Sequence, residues 1–433
     1  MKKIQGVAIL LSMLLLVFSI TGCGSKTNTD QKVSDNSEVA QKKDENKKIK
    51  LKVMILSEDS NRQAIYKDYY SKNIKEAFPN YEVEFELPGS ADAYSSKLRI
   101  YNASGELPDV FWGQDIVYQS GNALDLTDII KEDGYLDKFS NPAALIPAKD
   151  GKIYCLNSGT DSFFAGPLYF NKDIFEKEGL KTPTSFNELV SVSKKLAEKG
   201  YTPISVTAWA IQNFLFADLV TMDDHTNIIK LQNGEIDFNN EVIVEAANKL
   251  KTLVDIGAFP KNVTSIEHQV HVDMFNKGEA AMLYHPIWVL PAVSKDINLG
   301  YTYLPEFSGA KAINCWGSST TGGFMVSKKS KNTEAAVKVA EWLTTQDAEF
   351  FNKVAGNAVA LKGYSISEDS HSIVKDTYNK MIDEETVKIP NLPTNYMAEA
   401  VIAEYGTNIE KLIFNQLTPE QFCNIMNDLY KNQ

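Results

Sequence analysis

Tryptophan side chains with amides, carboxylates and hydroxyls close by are the groups in this 433-residue chain best suited to specific chemistry. Trp112 is followed by Gln114 and Asp115, Trp316 by Ser318, and Trp209 and Trp288 stand beside segments that read as strands. An indole face suits a ligand with an apolar CH surface. Amides, carboxylates and hydroxyls suit a rim of hydroxyl groups, and a sugar ring offers both. Binding pockets combine such an apolar lining with a few placed polar groups. Core packing is the alternative use of each of these tryptophans. Trp342, between Glu341 and Leu343 in a helical pattern, reads as packing.

Other chemistries find less support. His268 and His271 are three apart and share a helix face, with His285 not far along. No HExxH accompanies them, so they read as a solvated face, and no metal ligand is assigned. Ser191-Val192-Ser193-Lys194 has the SxxK spacing of a penicillin-interacting nucleophile, but on the polar side of an amphipathic helix. The chain's Ser-Asp-Asn, at 34–36, falls in a polar N-terminal stretch. Glu58-Asp59 is an acidic pair of the type a glycosidase uses, although the decisive spacing across a cleft is not a property of sequence. There is no phosphate loop, GxGxxG or GxSxG, no catalytic residue is assigned, and no cofactor is expected. Cys155, Cys315 and Cys423 are isolated and show neither CxxC nor Cys/His zinc spacing. They read as buried, inert thiols, with a disulfide between two of them left open.

Composition narrows the partners. A net charge of −12 argues against nucleic acid and against lying on an anionic bilayer. With 43% apolar and 23% charged residues the chain can build a large core.

The elements that must position these side chains are legible as periodicities. Residues 49–56 alternate and then turn apolar, as a strand entering a sheet does. A helical pattern through about 78 is broken by Pro79-Asn80, and 81–87 alternates strictly. A helix around 91–104 precedes a third strand at 109–112. Strand, helix, strand, helix, strand predicts a parallel sheet with helices on its faces, and ligands bind beyond the carboxyl ends of such strands. The loops 57–62 and 112–115 fall there, which makes Glu58, Asp59 and Asn61 candidate contacts beside Trp112, Gln114 and Asp115. A second α/β block follows. Ser185 and Glu188 form a capping box, Leu189, Val192 and Leu196 line one helical face, and 201–206 reads as a strand ending near Trp209. Helices are predicted over 241–253 and 333–343. Before Trp288, a helix end with a Gly stop leads to a short strand within 275–284. The last helix starts at Thr418 with Pro419 in its first turn.

The N-terminus has its own chemistry. Lys2 and Lys3 precede an apolar run over 7–20, which fits a signal segment of ~7–15 residues and falls short of the ~20 that span a bilayer. Ile20-Thr21-Gly22-Cys23 resembles the lipobox of bacterial lipoproteins, in which the cysteine is lipidated and becomes the new N-terminus. Residues 24–48 lack aromatics and hold only Val33 and Val39 as larger aliphatics, a composition unable to form a core. As a flexible tether this stretch would span roughly 25–30 Å.

Five further segments occur in the order found in one family. Ala103-Ser104-Gly105-Glu106-Leu107-Pro108-Asp109-Val110 resembles the ASGELPDV segment of family 1 extracellular solute-binding proteins, the sugar receptors of ATP-binding-cassette importers. Tyr169-Phe170-Asn171-Lys172-Asp173-Ile174-Phe175 is similar to their YNKDLF segment, and Thr182-Pro183-Thr184-Ser185-Phe186 to a PPTTW segment. Residues 275–282 and Thr321-Gly322-Gly323-Phe324-Met325-Val326-Ser327 match two more. The resemblance implies an α/β, two-lobed periplasmic-binding-protein-like (type II) fold with a hinge and an inter-lobe ligand cleft. By that likeness residues 1–22 are a lipoprotein signal peptide and 23–48 the tether. Residues 49–158 with 319–362 form the N-terminal lobe, and 159–318 with 363–433 the C-terminal lobe. Crossovers near 157–163, 315–321 and 361–365 would flank the ligand, which adds Asp161, Phe163, Trp316 and Ser318 to the contacts and favours Trp209 and Trp288. One departure is that the family's Trp just after the first strand is replaced by Ser57-Glu58-Asp59-Ser60. The implied protein is a monomeric, non-catalytic receptor, lipid-anchored on the extracytoplasmic face. It would capture a carbohydrate, an oligosaccharide in particular, and deliver it to the importer's permease subunits. A receptor for a polyol, polyamine or peptide, or a cell-surface glycoside hydrolase, are the alternatives.

Overall fold

The structure, a computed structural model, describes residues 48–432, apart from 58–59, 140–144, 146, 149, 159–165, 316–321, 355, 357, 369, 384 and 391–396. Cys23, Glu58, Asp59, Asp161, Phe163, Trp316 and Ser318 therefore lie outside the described residues, as does the side chain of Asn61.

Two sheets organise the chain. The first has strand order β2-β1-β3-β10-β4, with β1 Ile49–Met54, β2 Tyr81–Glu86, β3 Val110–Trp112, β4 Cys155–Leu156 and β10 Phe324–Val326. β1 runs parallel to β2 and β3, as the alternating pattern predicts. The sheet is nevertheless mixed, because β10 inserts antiparallel between β3 and β4, a pairing of distant segments that local periodicity does not encode. Gly323 permits the insertion: a Cβ there would lie 2.0 Å from the Leu156 carbonyl oxygen.

The second sheet has order β6-β7-β5-β8, with β5 Leu168–Asn171, β6 Thr202–Ser205, β7 Ala280–Tyr284 and β8 Leu299–Thr302. β5 pairs antiparallel with β7 and β8, and β6 is parallel to β7. A two-stranded ribbon joins β9 Ala312–Cys315 to β11 Val387–Pro390. Each large sheet has its own buried apolar cluster. Leu51, Val53, Phe111, Met325 and Leu343 belong to one, and Leu168, Leu189, Leu196, Phe216, Leu250 and Phe422 to the other.

Local signals explain many element ends. The helix Ala91–Ser104 starts at Ser90, whose hydroxyl accepts from Ala93 N, and stops at Gly105, whose φ of 75° suits glycine. Asn171 caps the helix Lys172–Lys177 by accepting from Asp173 N and Ile174 N. Thr418 and Gln421 complete a reciprocal capping box before Pro419–Lys431. At Ser185 only half of the expected box forms. Its hydroxyl accepts from Glu188 N, but the Glu188 carboxylate turns to the Thr184 N–H and hydroxyl, at 2.8 Å each. Trp342 packs in the first cluster, edge-on to Phe78 at 5.9 Å, as its place in the helix Thr333–Lys353 predicts. Cys155 is buried in β4, and Cys423 is a buried free thiol whose pKa burial pushes up to about 12. Among the described residues no helix is long and apolar enough to cross a membrane.

Candidate functional site

The strand registers define one edge in each sheet, and the chain connects these two edges. In the first sheet the carboxyl ends of β3 and β4 lie at one edge, because Phe324 at the start of β10 pairs with both Trp112 and Leu156. In the second sheet Leu168 at the start of β5 pairs with Tyr284 and Thr302 at the ends of β7 and β8. The chain passes from the first edge to the second through 157–167, and back from β9 to β10 through 316–323. Residues following the strands at these edges are therefore those that a ligand held at the crossovers would meet.

At the first edge stand Trp112, Gln114, Asp115 and Arg62. The Tyr94 hydroxyl donates to the Trp112 carbonyl at 2.8 Å and anchors the end of β3. The indole is 8% exposed, meets Phe324 edge-on at 5.3 Å, and carries the Arg62 guanidinium over its face, 4.0 Å from the ring centroid. Arg62 in turn reaches Asp347 at 3.5 Å, and Tyr70 donates to the same carboxylate. Burial raises the Asp347 pKa to about 6 against the opposing pull of Arg62 and Tyr70. Gln114 donates to Ser95 Oγ at 2.8 Å, and Asp115 opens the helix Asp115–Gln119. Trp112 thus spends one ring face on an intramolecular cation, a use that its neighbours in sequence do not reveal.

At the second edge stand Trp209, Trp288 and His285. Trp209 lies in the first turn of the helix Ala208–Ala210, capped by the Thr207 hydroxyl, and not at the end of a strand as its surroundings suggest. Its ring is 39% exposed and lies 6.2 Å from that of Trp288, the two tilted at 59°. The same strand ends carry a polar knot. Tyr284 and Asn314 both donate to the fully buried Asp218, the latter at 2.8 Å, and so tie the ends of β7 and β9 together. Burial lifts Asp218 to a pKa of about 7, with the two hydrogen bonds acting in the other direction.

Wide π-type turns follow both sets of residues, Ile65–Tyr70 after Arg62 and Ile211–Leu215 after Trp209. Such turns recur at functional positions.

The histidines depart furthest from expectation. His271 is fully buried and His268 exposed, and the two pack against the buried His285 with ring centroids 5.1, 4.9 and 5.3 Å apart. The solvated face read from their spacing is thus a three-histidine cluster, closed by β7 packing against the helix His268–Asn276. Burial, and secondarily the neighbouring His268, lowers the His271 pKa to about 4 and His285 well below its usual value.

A surface concavity of about 440 Å³ lies at the opposite edge of the second sheet, lined by Asn171, Lys177, Tyr201 and Gly278 among others. It holds none of the aromatic candidates.

A sequence profile of the bacterial extracellular solute-binding proteins matches residues 57–350. The multiple sugar-binding protein of Streptococcus mutans is 24% identical over 328 residues, covering 72% of this chain and 74% of that one. The maltooligosaccharide ABC transporter solute-binding lipoprotein of Streptococcus pneumoniae is 24% identical over 365 residues, covering 80% and 78%. Among solved structures, a chitin oligosaccharide binding protein superposes with a TM-score of 0.75 at 22% identity, covering 89% of this chain and 98% of the other.

Proposed function

The chain belongs to the bacterial extracellular solute-binding proteins, the non-catalytic receptors of ATP-binding-cassette importers, and from that premise we propose that its solute is a carbohydrate, an oligosaccharide in particular. The observation that carries this reading is the Trp209–Trp288 pair, one residue exposed and the other half-buried, at a sheet edge where the chain crosses between sheets. Flat indoles at an angle suit the successive faces of linked sugar rings. The sugar-binding names of the streptococcal relatives support the same class of ligand. Trp112, Gln114, Asp115 and the segments holding Glu58, Asp59, Asn61, Asp161, Phe163, Trp316 and Ser318 complete the proposed cleft. The lobes on either side are residues 49–158 with 319–362 and residues 159–318 with 363–433. A ligand touching both lobes stabilises the closed form over the open one. Scattering should therefore give a smaller radius of gyration with saturating sugar than without. An unchanged radius with binding confirmed would argue against closure.

Lipid anchoring at Cys23 belongs to the same proposal, supported by the Ile20-Thr21-Gly22-Cys23 sequence and by the lipoprotein named among the relatives. Stable attachment takes two acyl chains, since one alone binds marginally. Cys23→Ser should release the protein or leave it unprocessed. Recovery of that variant in a processed form, held tightly in the membrane fraction, would overturn the anchor.

A further inference from the structure

We propose that His268, His271 and His285 form a binding site for a divalent transition-metal ion, zinc in the first instance. This inference stands apart from the choice of sugar. Three imidazoles on a tetrahedral zinc, with bonds of ~2.0–2.1 Å, hold their donor nitrogens about 3.3 Å apart and their ring centres about 5.2 Å apart. The ring centres of this cluster are already 4.9–5.3 Å apart. One donor nitrogen from each ring lies within 4.8 Å of the others, so a small approach of the rings would bring them to the spacing of a bound ion.

The hydrogen bonding around the cluster points the same way. His285 Nδ1 lies 3.0 Å from the Pro286 carbonyl oxygen, which can only accept, so this nitrogen carries the proton and Nε2 keeps its lone pair. A backbone carbonyl holding the far nitrogen is the usual support of a metal-bound histidine. His285 Nε2 is buried with no partner, as are both nitrogens of His271. Buried polar atoms left unpaired are costly and rare, and a metal ion would engage the lone pairs that nothing else meets. Ser205 Oγ donates to the His271 carbonyl at 2.7 Å and ties the helix to β6. An all-imidazole set selects zinc, copper, nickel or iron over magnesium or calcium, and three protein ligands leave a fourth position open. Trp288 packs against two of the three ligands, 4.3 Å from His285 edge-on and 5.2 Å from His268, so the ion would fix the orientation of this indole.

The test uses the full folded chain without added histidines, stripped of metal and titrated with Zn2+ by calorimetry and with Co2+ by visible absorption. The expected result is one ion per chain, the intense absorption of tetrahedral cobalt, and a change in tryptophan fluorescence. His268 is exposed, so His268→Ala should keep the melting temperature of the metal-free protein. It should weaken metal binding by more than about a hundredfold, beyond the ~10–100-fold typical of losing only a supporting residue. Failure of the intact chain to bind one ion saturably, or binding that His268→Ala leaves unchanged, would overturn the site.

Discussion

Replacing Arg62 with alanine should destabilise the folded chain by about 3 kcal/mol at pH 7 and by less at pH 5. Arg62 and Asp347 are both largely buried, with side chains 14% and 5% exposed. Removing one partner of a buried pair strands the other, and such losses run to ~3–5 kcal/mol. The long 3.5 Å contact places Arg62 at the low end of that range, while its seat over the Trp112 ring contributes a further share of the packing. The pH dependence follows from Asp347. Its folded pKa, about 6, is raised above the unfolded value, so its contribution is complete below about pH 4 and is lost as pH rises through 6. Without Arg62 the carboxyl holds its proton to still higher pH, and the loss extends through neutrality. The penalty of the mutation therefore grows between pH 5 and pH 7. Urea unfolding at the two values reads it directly, and an equal penalty at both would remove the buried-charge account.

Trp209→Ala and Trp288→Ala should each weaken sugar binding about tenfold while leaving the fold intact. A tryptophan presents ~200 Å². If a quarter of it faces the sugar, ~25 cal/mol per Å² gives roughly 1–1.5 kcal/mol, or about one decade of affinity. Trp209 is the cleaner case, since 39% of it is already exposed and little packing is lost with it. A core tryptophan would instead cost ~3–5 kcal/mol of stability. Calorimetric titration beside a thermal melt separates the two. A large drop in melting temperature with unaltered affinity in both variants would assign these residues to packing.

What could be read from the sequence was local. Ser90 and Gly105 bound a helix whose ends sit where the pattern put them, and Thr418, Pro419 and Gln421 specify a helix start by their own side chains. The parallel order of β1, β2 and β3 follows from their alternation with helices. What escaped depended on partners far along the chain. Arg62 meets Asp347 across 285 positions, β10 enters a sheet begun at β1, and His285 reaches its helix partners only because β7 lies under them. Trp209 departs from its pattern for a subtler reason: the Thr207 hydroxyl starts a helix immediately after a short strand, within one apolar run. The family segments carry the fold class further than periodicity does, and two of their residues have visible tasks here: Gly323 admits the Leu156 carbonyl and Asn171 caps a helix.

The proposed capture of a carbohydrate should show in calorimetric titration against a panel of oligosaccharides, polyols, polyamines and peptides, with the glycans recovered and their products identified. The result expected is saturable one-to-one binding of at least one oligosaccharide, recovered intact. Binding of a polyamine or peptide with no sugar bound, or recovery of cleaved glycan, would contradict it.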